Sequence, residues 1–283
     1  MNDTESTINV TSGSKLFVRK YGQGIPLLCV HGFPFDHSMW RQQWEALGNS
    51  FLFLAPDLAG FGRSTLPEID QGADASLEVD ADDLAELLDR MGYDRVVFCG
   101  LSMGGYVGWQ FWRRHRARIA GLILCDTRAA ADSLEVARGR RVMAERILNE
   151  GMEVLVEPML PKLFAAAHLA AHLAAHLAVP DAGISELIQR MRGCNPQAAA
   201  RALLAMANRP DMEAILSTID VPTLLVCGEQ DAITPPAEMQ RIATRIPRAE
   251  FELIPNAGHL APVENADRVN QAIRKFATAL PRG

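Results

Sequence analysis

Ser102 stands in Gly100-Leu101-Ser102-Met103-Gly104-Gly105, between the apolar run Arg95–Cys99 and the aromatic-rich stretch Tyr106–His115. A serine on a sharp strand-to-helix turn has its hydroxyl pushed up and out of the sheet, where a base can reach it. Gly100 and Gly104 leave room for strand, turn and helix backbone to approach closely, and Gly105 adds more. A hydroxyl is a poor nucleophile until a base removes its proton, and an imidazole base needs a carboxylate to hold its tautomer and stabilise its charge. His259, in the small-residue loop Pro255-Asn256-Ala257-Gly258-His259-Leu260, is the candidate base. Asp231, in Gly228-Glu229-Gln230-Asp231-Ala232-Ile233-Thr234-Pro235, is the candidate acid. The chain order is serine, aspartate, histidine, and each follows the carboxyl end of a strand-like run, where open α/β sheets place their sites.

Rivals exist for two of these roles. His31 also follows a strand-like run, but His31-Gly32 is better suited to shaping a loop. His37 lies in the loop before a helix, and His115 ends one as a capping or surface histidine. Asp126, after Ile119–Cys125, could serve as the acid in place of Asp231, whereas Glu229 is expected to order its loop by hydrogen bonding. Negative charge developing on a substrate carbonyl needs donors already in place. The backbone N–H of Met103 is one, at the start of its helix. The N–H of Phe33 is the other, since Pro34 has no donor. The side chains of Phe33 and Met103 would line an acyl pocket or simply pack. His31, Phe33, Met103, Asp126 and Arg128 are the positions expected around the bound substrate.

The elements that must position these groups are legible as alternating runs. Ile8–Val10 and Lys15–Tyr21 read as antiparallel strands around the turn Ser12-Gly13-Ser14, with residues 1–7 frayed. Leu27–Val30, Phe51–Ala55, the run before Ser102, Ile119–Cys125, Pro222–Cys227 and Glu250–Ile254 read as strands. Helices are expected at Met39–Leu47, Ser76–Met91, Tyr106–His115, Pro236–Ile246 and Val263–Ala279. In the second, Leu77, Ala81, Leu84, Leu87 and Leu88 form the apolar face and Gly92 the stop. Strands alternating with helices of this length imply a mostly parallel, doubly wound sheet covered on both faces. The glycine-rich Leu58–Ser64 lacks the lysine and spacing of a phosphate loop. From Ala129 to about Thr218 the alternation stops, leaving helical stretches at Ser133–Glu150, Gly151–Ala166, Ser185–Met191 and Pro196–Asn208. The expected organisation is a core of residues 1–128 and 219–283 with an inserted helical cap at 129–218.

A chain of 283 residues, 48% of them hydrophobic, can bury a large core. With 28 basic against 34 acidic residues the formal net charge is −6, which argues against a nucleic-acid or anionic-membrane surface. No run approaches the roughly 20 apolar residues of a membrane span, and the polar, acidic Met1–Ser6 does not read as a secretory signal. The five cysteines, an odd number without closely spaced pairs, suggest free thiols in a reducing, cytoplasmic compartment. None of the five sits in a turn suited to a nucleophile. His168, His172 and His176 recur every four residues in near-copies of Ala-His-Leu-Ala and share a helix face. Adventitious nickel or zinc would suit such a row. The glutamate of the zinc-protease pattern is replaced by alanine, so neither a catalytic metal nor a cofactor is expected.

His31-Gly32-Phe33-Pro34, Asp57–Ser64, Gly100–Gly105, Gly228–Pro235 and Gly258-His259 together resemble the α/β-hydrolase superfamily, and its compact capped members in particular. The resemblance covers nearly the whole chain. It implies Ser102, Asp231 and His259 as the triad and the Phe33 and Met103 amides as the oxyanion hole. In the family's haloalkane dehalogenases and epoxide hydrolases the nucleophile is an aspartate, so the serine here speaks against both activities. Its cofactor-free perhydrolases share the Gly-x-Ser-Met-Gly-Gly turn but usually carry tryptophan at the position of Phe33. With Asp126-Thr127-Arg128-Ala129, the pattern is most similar to bacterial proteins grouped with 3-oxoadipate enol-lactonases, from which the lengthened cap departs. The expected activity is serine-dependent hydrolysis of small to medium carboxylic esters or lactones. A specialised lactonase, a carbon–carbon or amide hydrolase, a perhydrolase and a non-catalytic ligand-binding protein are the alternatives. A dicarboxylate substrate would call for a basic residue in the pocket, from Arg128, Arg138, Arg140, Arg141 or Arg192. Nothing in the sequence decides between a monomer and a homo-oligomer.

Overall fold

Runs of Leu, Val, Phe and Cys without polar alternation suit strands covered on both faces. In the computed structural model, which describes residues 2–67, 75–175 and 182–280, such runs form the middle of an eight-stranded sheet. The first part of the chain builds β1 (Asn2–Asn9), β2 (Lys15–Gly22), β3 (Ile25–Val30), α1 (Arg41–Leu47), β4 (Phe51–Pro56), α2 (Leu77–Met91), β5 (Val96–Leu101), α3 (Met103–His115) and β6 (Ile119–Cys125). Five helices follow, with no strand between them among the described residues: α4 (Leu134–Glu150), α5 (Glu153–Leu163), α6 (Ala166–Ala175), α7 (Ala182–Arg192) and α8 (Pro196–Ala207). The alternation then resumes with β7 (Thr223–Gly228), α9 (Pro236–Arg245), β8 (Ala249–Ile254), α10 (Ala261–Glu264) and α11 (Ala266–Ala277). The spatial order is β1-β2-β4-β3-β5-β6-β7-β8. Only the β1–β2 and β2–β4 pairings are antiparallel. The expected mostly parallel sheet with an inserted helical segment is therefore what the chain forms.

Alternate residues of each central strand serve opposite faces. Leu28, Val30, Val96 and Phe98 join a core with α2, α3 and α9. Leu27, Cys29, Val97 and Cys99 join another with α1 and α11. Helix α2 begins where Ser76 accepts from the Val79 N–H and ends at Gly92, whose φ of 77° suits a residue without a side chain. Among the described residues, no helix is long and apolar enough to cross a membrane.

Three expectations need correction. Residues 2–7 are not frayed: β1 pairs along its whole length, from Asn2 opposite Gly22 to Asn9 opposite Lys15. Most of this edge strand is exposed, so hydrophobicity carried no signal. Asp3 and Glu5 instead meet Arg19, and Glu5 also meets Arg63. The helix expected at Gly151–Ala166 stops at Leu163, because Phe164 is extended (φ −109°, ψ 146°). The helix expected from Val263 is broken at Asn265, whose side chain accepts from the Arg268 N–H and starts α11 afresh. Of the histidine row, His168 lies on α6; the His172 side chain and His176 fall outside the described residues.

One buried acidic pair on α2 makes stability pH-dependent. Asp80 faces Arg201 at 3.7 Å, and Asp83 accepts a 2.7 Å hydrogen bond from Ser12. Burial pushes the Asp83 carboxyl up to about 6 against that hydrogen bond, with Asp80 adding to the rise. The unfolded value is about 3.9, so between these pH values the folded state holds a proton that the unfolded chain has released. Stability therefore falls as pH rises from about 4 to about 6 and stays lower above. Asp83→Asn is expected to raise Tm at pH 8, with the gain shrinking to nothing at pH 4. Thermal melts across that range check it, and an equal effect at both ends would contradict it.

Candidate active site

Ser102 occupies a backbone conformation, φ 51° and ψ −110°, that few residues adopt. Its surroundings enforce it. The Ser102 N–H donates to the Cys125 carbonyl at 2.9 Å, and its carbonyl accepts from Thr127 Oγ1 at 2.8 Å, so the end of β6 grips both sides. A Cβ at Gly104 would lie 2.2 Å from the Val30 carbonyl oxygen, which is why the helix can start hard against β3. The hydroxyl is left at the top of the sheet, within 2.9 Å of His259 Nε2.

His259 Nδ1 lies 2.8 Å from Asp231 Oδ2. An ionised carboxylate only accepts, so Nδ1 carries the proton and Nε2 is free to take one from Ser102. Asp231 is 4% exposed and His259 2%. The Asp231 Oδ1 accepts from the N–H groups of Ile233 (2.7 Å) and Thr234 (3.0 Å), and Oδ2 also accepts from Thr234 Oγ1 at 2.5 Å. Burial works to raise this carboxyl, but the His259 charge and the hydrogen bonds from His259 and Thr234 outweigh it and hold the group below the usual carboxylate range. Glu229, expected to order its own loop, accepts instead from the Asn256 N–H of the loop after β8 at 3.2 Å.

The donors expected for an oxyanion are the amides of Phe33 and Met103. Neither donates to an acceptor among the described residues. The two segments touch, since a Cβ at Gly32 would lie 2.6 Å from Leu101 Cδ2. Phe33 packs edge-on against Phe61, and Met103 is 1% exposed. Nearby, a cleft of about 750 Å³ runs between α7, the start of α8 and the loops after β3 and β4, and Pro34 is among its lining residues.

The remaining pocket expectations change. His31 is fully buried, accepting from the Leu58 N–H at Nε2 (3.0 Å) while Nδ1 lies 3.0 Å from the Gly32 carbonyl. It staples the loop after β3 to the loop after β4, and burial pushes its ring toward the neutral form. Asp126, also fully buried, accepts from the Gly228 N–H at 2.7 Å and cannot face a substrate. Arg128 donates to Glu238 (3.0 Å) and the Ile233 carbonyl (2.7 Å), which braces the Asp231 loop. Of the rival bases, His37 is held by Asp57 and His115 by Asp82.

Among the described residues, two groupings have the spacing to hold a metal ion. In Asp36–His37–Asp57 the donors already serve one another and their neighbours. In Asp126–Cys227–Asp231 burial pushes the thiol far up, so it is a poor ligand.

One residue that sequence reasoning passed over ties the base to the inserted helices. Glu264, with no side-chain exposure, accepts from the Gly258 N–H (2.8 Å), the Ala165 N–H (2.7 Å) and His168 Nδ1 (2.8 Å). The His259 N–H donates to the Leu163 carbonyl at 2.9 Å, freed by the end of α5. The only sequence signal was a lone glutamate five residues past His259, at the start of the expected last helix. Glu264→Ala leaves two buried N–H groups without an acceptor, at about 1–3 kcal/mol each. Urea denaturation should show about 2–5 kcal/mol lost, less for Glu264→Gln, which keeps one acceptor; a loss below about 0.5 kcal/mol would contradict the clamp.

Residues 27–272 match the model of the alpha/beta hydrolase family. A thermophilic esterase from Thermogutta terrifontis is 41% identical, with a TM-score of 0.87 over 98% of each chain. The enol-lactonase from Burkholderia xenovorans LB400 is 27% identical, with a TM-score of 0.85 over 96% of this chain and 100% of that one. Haloalkane dehalogenase 2 of Mycobacterium tuberculosis (strain ATCC 25618 / H37Rv) is 30% identical over 89% of this chain and 87% of its own length. A family model that spans most of the sequence, on a sheet of this order, makes the chain a member of the alpha/beta hydrolase family.

Proposed function

We propose that the protein is a serine hydrolase of small to medium carboxylic esters or lactones, with Ser102, His259 and Asp231 as its catalytic residues. The observation that carries this is the unbroken relay from Ser102 Oγ to His259 Nε2 (2.9 Å) and from His259 Nδ1 to Asp231 Oδ2 (2.8 Å). His259 takes the hydroxyl proton as Ser102 attacks the carbonyl carbon, and Asp231 stabilises the imidazolium. The amides of Phe33 and Met103 meet the oxyanion. Collapse expels the leaving oxygen, protonated by His259, and leaves an acyl-enzyme. A water deprotonated by His259 then attacks that ester and releases the acid and free Ser102.

An alcohol nucleophile also separates this chain from its dehalogenase relative. Displacing a halide with Ser102 would leave an alkyl ether, which water cannot hydrolyse as it does an ester. Carbon–carbon and amide hydrolysis need the same groups, and no specific feature favours them. Residues 129–218 are read as the cap that sets acyl size above the core segments 1–128 and 219–283. The free thiols, four of them buried, fit a reducing cytoplasm, and the acidic balance fits a small-molecule substrate rather than nucleic acid.

The pairing of most candidate cations favours a neutral substrate. Arg128 is paired with Glu238, Arg140 with Asp132, and Arg192 with Glu153 and Glu157, while Arg141 donates to Asn208 and Arg138 is exposed on α4. A dicarboxylate held by Arg128, Arg140 or Arg192 would have to displace these partners.

Two outcomes test the proposal. With short chromogenic acyl esters, Ser102→Ala should lower kcat by about 10⁴–10⁶ and Asp231→Asn by about 10⁴, with both variants folded. Turnover that survives Ser102→Ala would contradict the assignment. In a substrate panel, neutral short-acyl esters and neutral lactones should exceed a muconolactone-type dicarboxylate enol-lactone in kcat/KM by at least about tenfold, since an unpaired carboxylate costs roughly 1–3 kcal/mol. A preference for the dicarboxylate would make the protein a specialised lactonase.

A further inference from the structure

Asp126 is a second buried carboxyl beside the triad, and the mechanism above leaves it without a task. It ends β6 in a left-handed conformation, φ 46°, with its N–H donating to the Val226 carbonyl at 2.9 Å. Its Oδ1 accepts from the Gly228 N–H at 2.7 Å, while Oδ2 has no hydrogen-bond donor among the described residues. A carboxylate oxygen of Asp126, one of Asp231 and the Cys227 sulfur all lie within 4.8 Å of one another.

Among the described residues, no cation compensates a negative charge on Asp126, whose side-chain neighbours are Asp231 and the Cys125 and Cys227 thiols. Asp231 is itself an anion. The thiols of Cys125 and Cys227 are held neutral, the first chiefly by its hydrogen bond with Cys99 and the second by burial. Arg128 is taken by Glu238 and the Ile233 carbonyl, and His259 by Asp231. Two like charges this close in a dry site do not both ionise. A carboxylic acid fits instead: Oδ1 is the carbonyl that accepts from Gly228, and Oδ2 is the hydroxyl that needs an acceptor.

We propose that Asp126 is a protonated acid in the working enzyme and that its Oδ2–H donates to the Asp231 carboxylate, making Asp126 a positioning residue for the triad. Burial, and after it the Asp231 charge, push the Asp126 carboxyl well above the usual range, in keeping with this. The arrangement gives Asp231 a further donor beside Ile233, Thr234 and His259 without a second anion beneath the imidazole. A second anion would over-stabilise the imidazolium and disarm His259 as a base near neutral pH. The inference rests on the assignment of Asp231 and His259 above.

The test compares wild type, Asp126→Asn and Asp126→Ala by two measurements. Asparagine tolerates the positive φ and keeps a donor without a charge. If Asp126 is neutral, Asp126→Asn leaves the acid limb of the kcat/KM–pH profile for p-nitrophenyl acetate within about half a unit, whereas removing an anion would lower it by about 1–3 units. Asp126→Ala, neutral but without a donor, should move the limb upward. A fall of a unit or more in Asp126→Asn, or coincident profiles for the two variants, overturns the proposal. Infrared difference spectra at pH 7.5 need no turnover: a protonated-carboxyl C=O band present in wild type and lost in Asp126→Asn supports the proton, and its absence overturns it. An enzyme inactive on esters that still shows the band would refute the esterase assignment and leave the proton on Asp126.

Discussion

At the turn after β5, three pieces of backbone occupy space that side chains would normally fill. The start of α3 lies against the end of β3, so that a Cβ at Gly104 would sit 2.2 Å from the Val30 carbonyl oxygen. This contact forces Ser102 into φ 51° and leaves its hydroxyl as the group that projects from the turn. The strain of such a conformation, on the order of 1–3 kcal/mol, persists only where the surroundings over-determine it. Here they do: β6 holds the Ser102 N–H through Cys125 and its carbonyl through Thr127. Placement of the Ser102 hydroxyl is thus a property of the sheet core rather than of a mobile loop.

Asp231 and His259 are held by loops, and these are fixed to each other. A Cβ at Gly228 would lie 1.9 Å from the Gly258 carbonyl, so the loops after β7 and β8 touch where Asp231 and His259 must meet. Thr234 closes the Asp231 turn, and Arg128 braces it from the loop after β6. On the other side, Glu264 and the Leu163 carbonyl join Gly258-His259 to the start of α6 and the end of α5. The inserted helices therefore help to hold His259 in place. Any movement of α5 or α6 is felt at the imidazole.

Much of this was legible in the sequence because it rests on strong local signals. Continuous apolar runs marked β3, β5, β6 and β7, and small residues around Ser102, Asp231 and His259 marked the places where backbones crowd. What escaped depends on long-range partners. β1 is an exposed edge strand whose pairing rests on backbone bonds and on Arg19 and Arg63, none visible as periodicity. His31 reads as shaping its loop, which it does, but it also reads as one of the pocket positions, because its partner, an amide 27 positions away, leaves no local signal. Glu264 drew no notice, because two of its donors, Ala165 and His168, lie nearly a hundred residues earlier. The helix break at Asn265 was missed because an asparagine cap is indistinguishable from an exposed asparagine until the chain is folded.

The central claim is that Ser102 becomes covalently acylated, activated through the relay from Ser102 Oγ to His259 Nε2 and His259 Nδ1 to Asp231. The most direct measurement is to react the native protein with a fluorophosphonate that traps activated serines, then digest it and locate the adduct by mass spectrometry. The account predicts stoichiometric labelling of the peptide carrying Ser102, abolished when the protein is unfolded before treatment. Labelling of a different residue in the native protein, or a native Ser102 that stays unmodified while a known serine hydrolase in the same tube reacts, would contradict it.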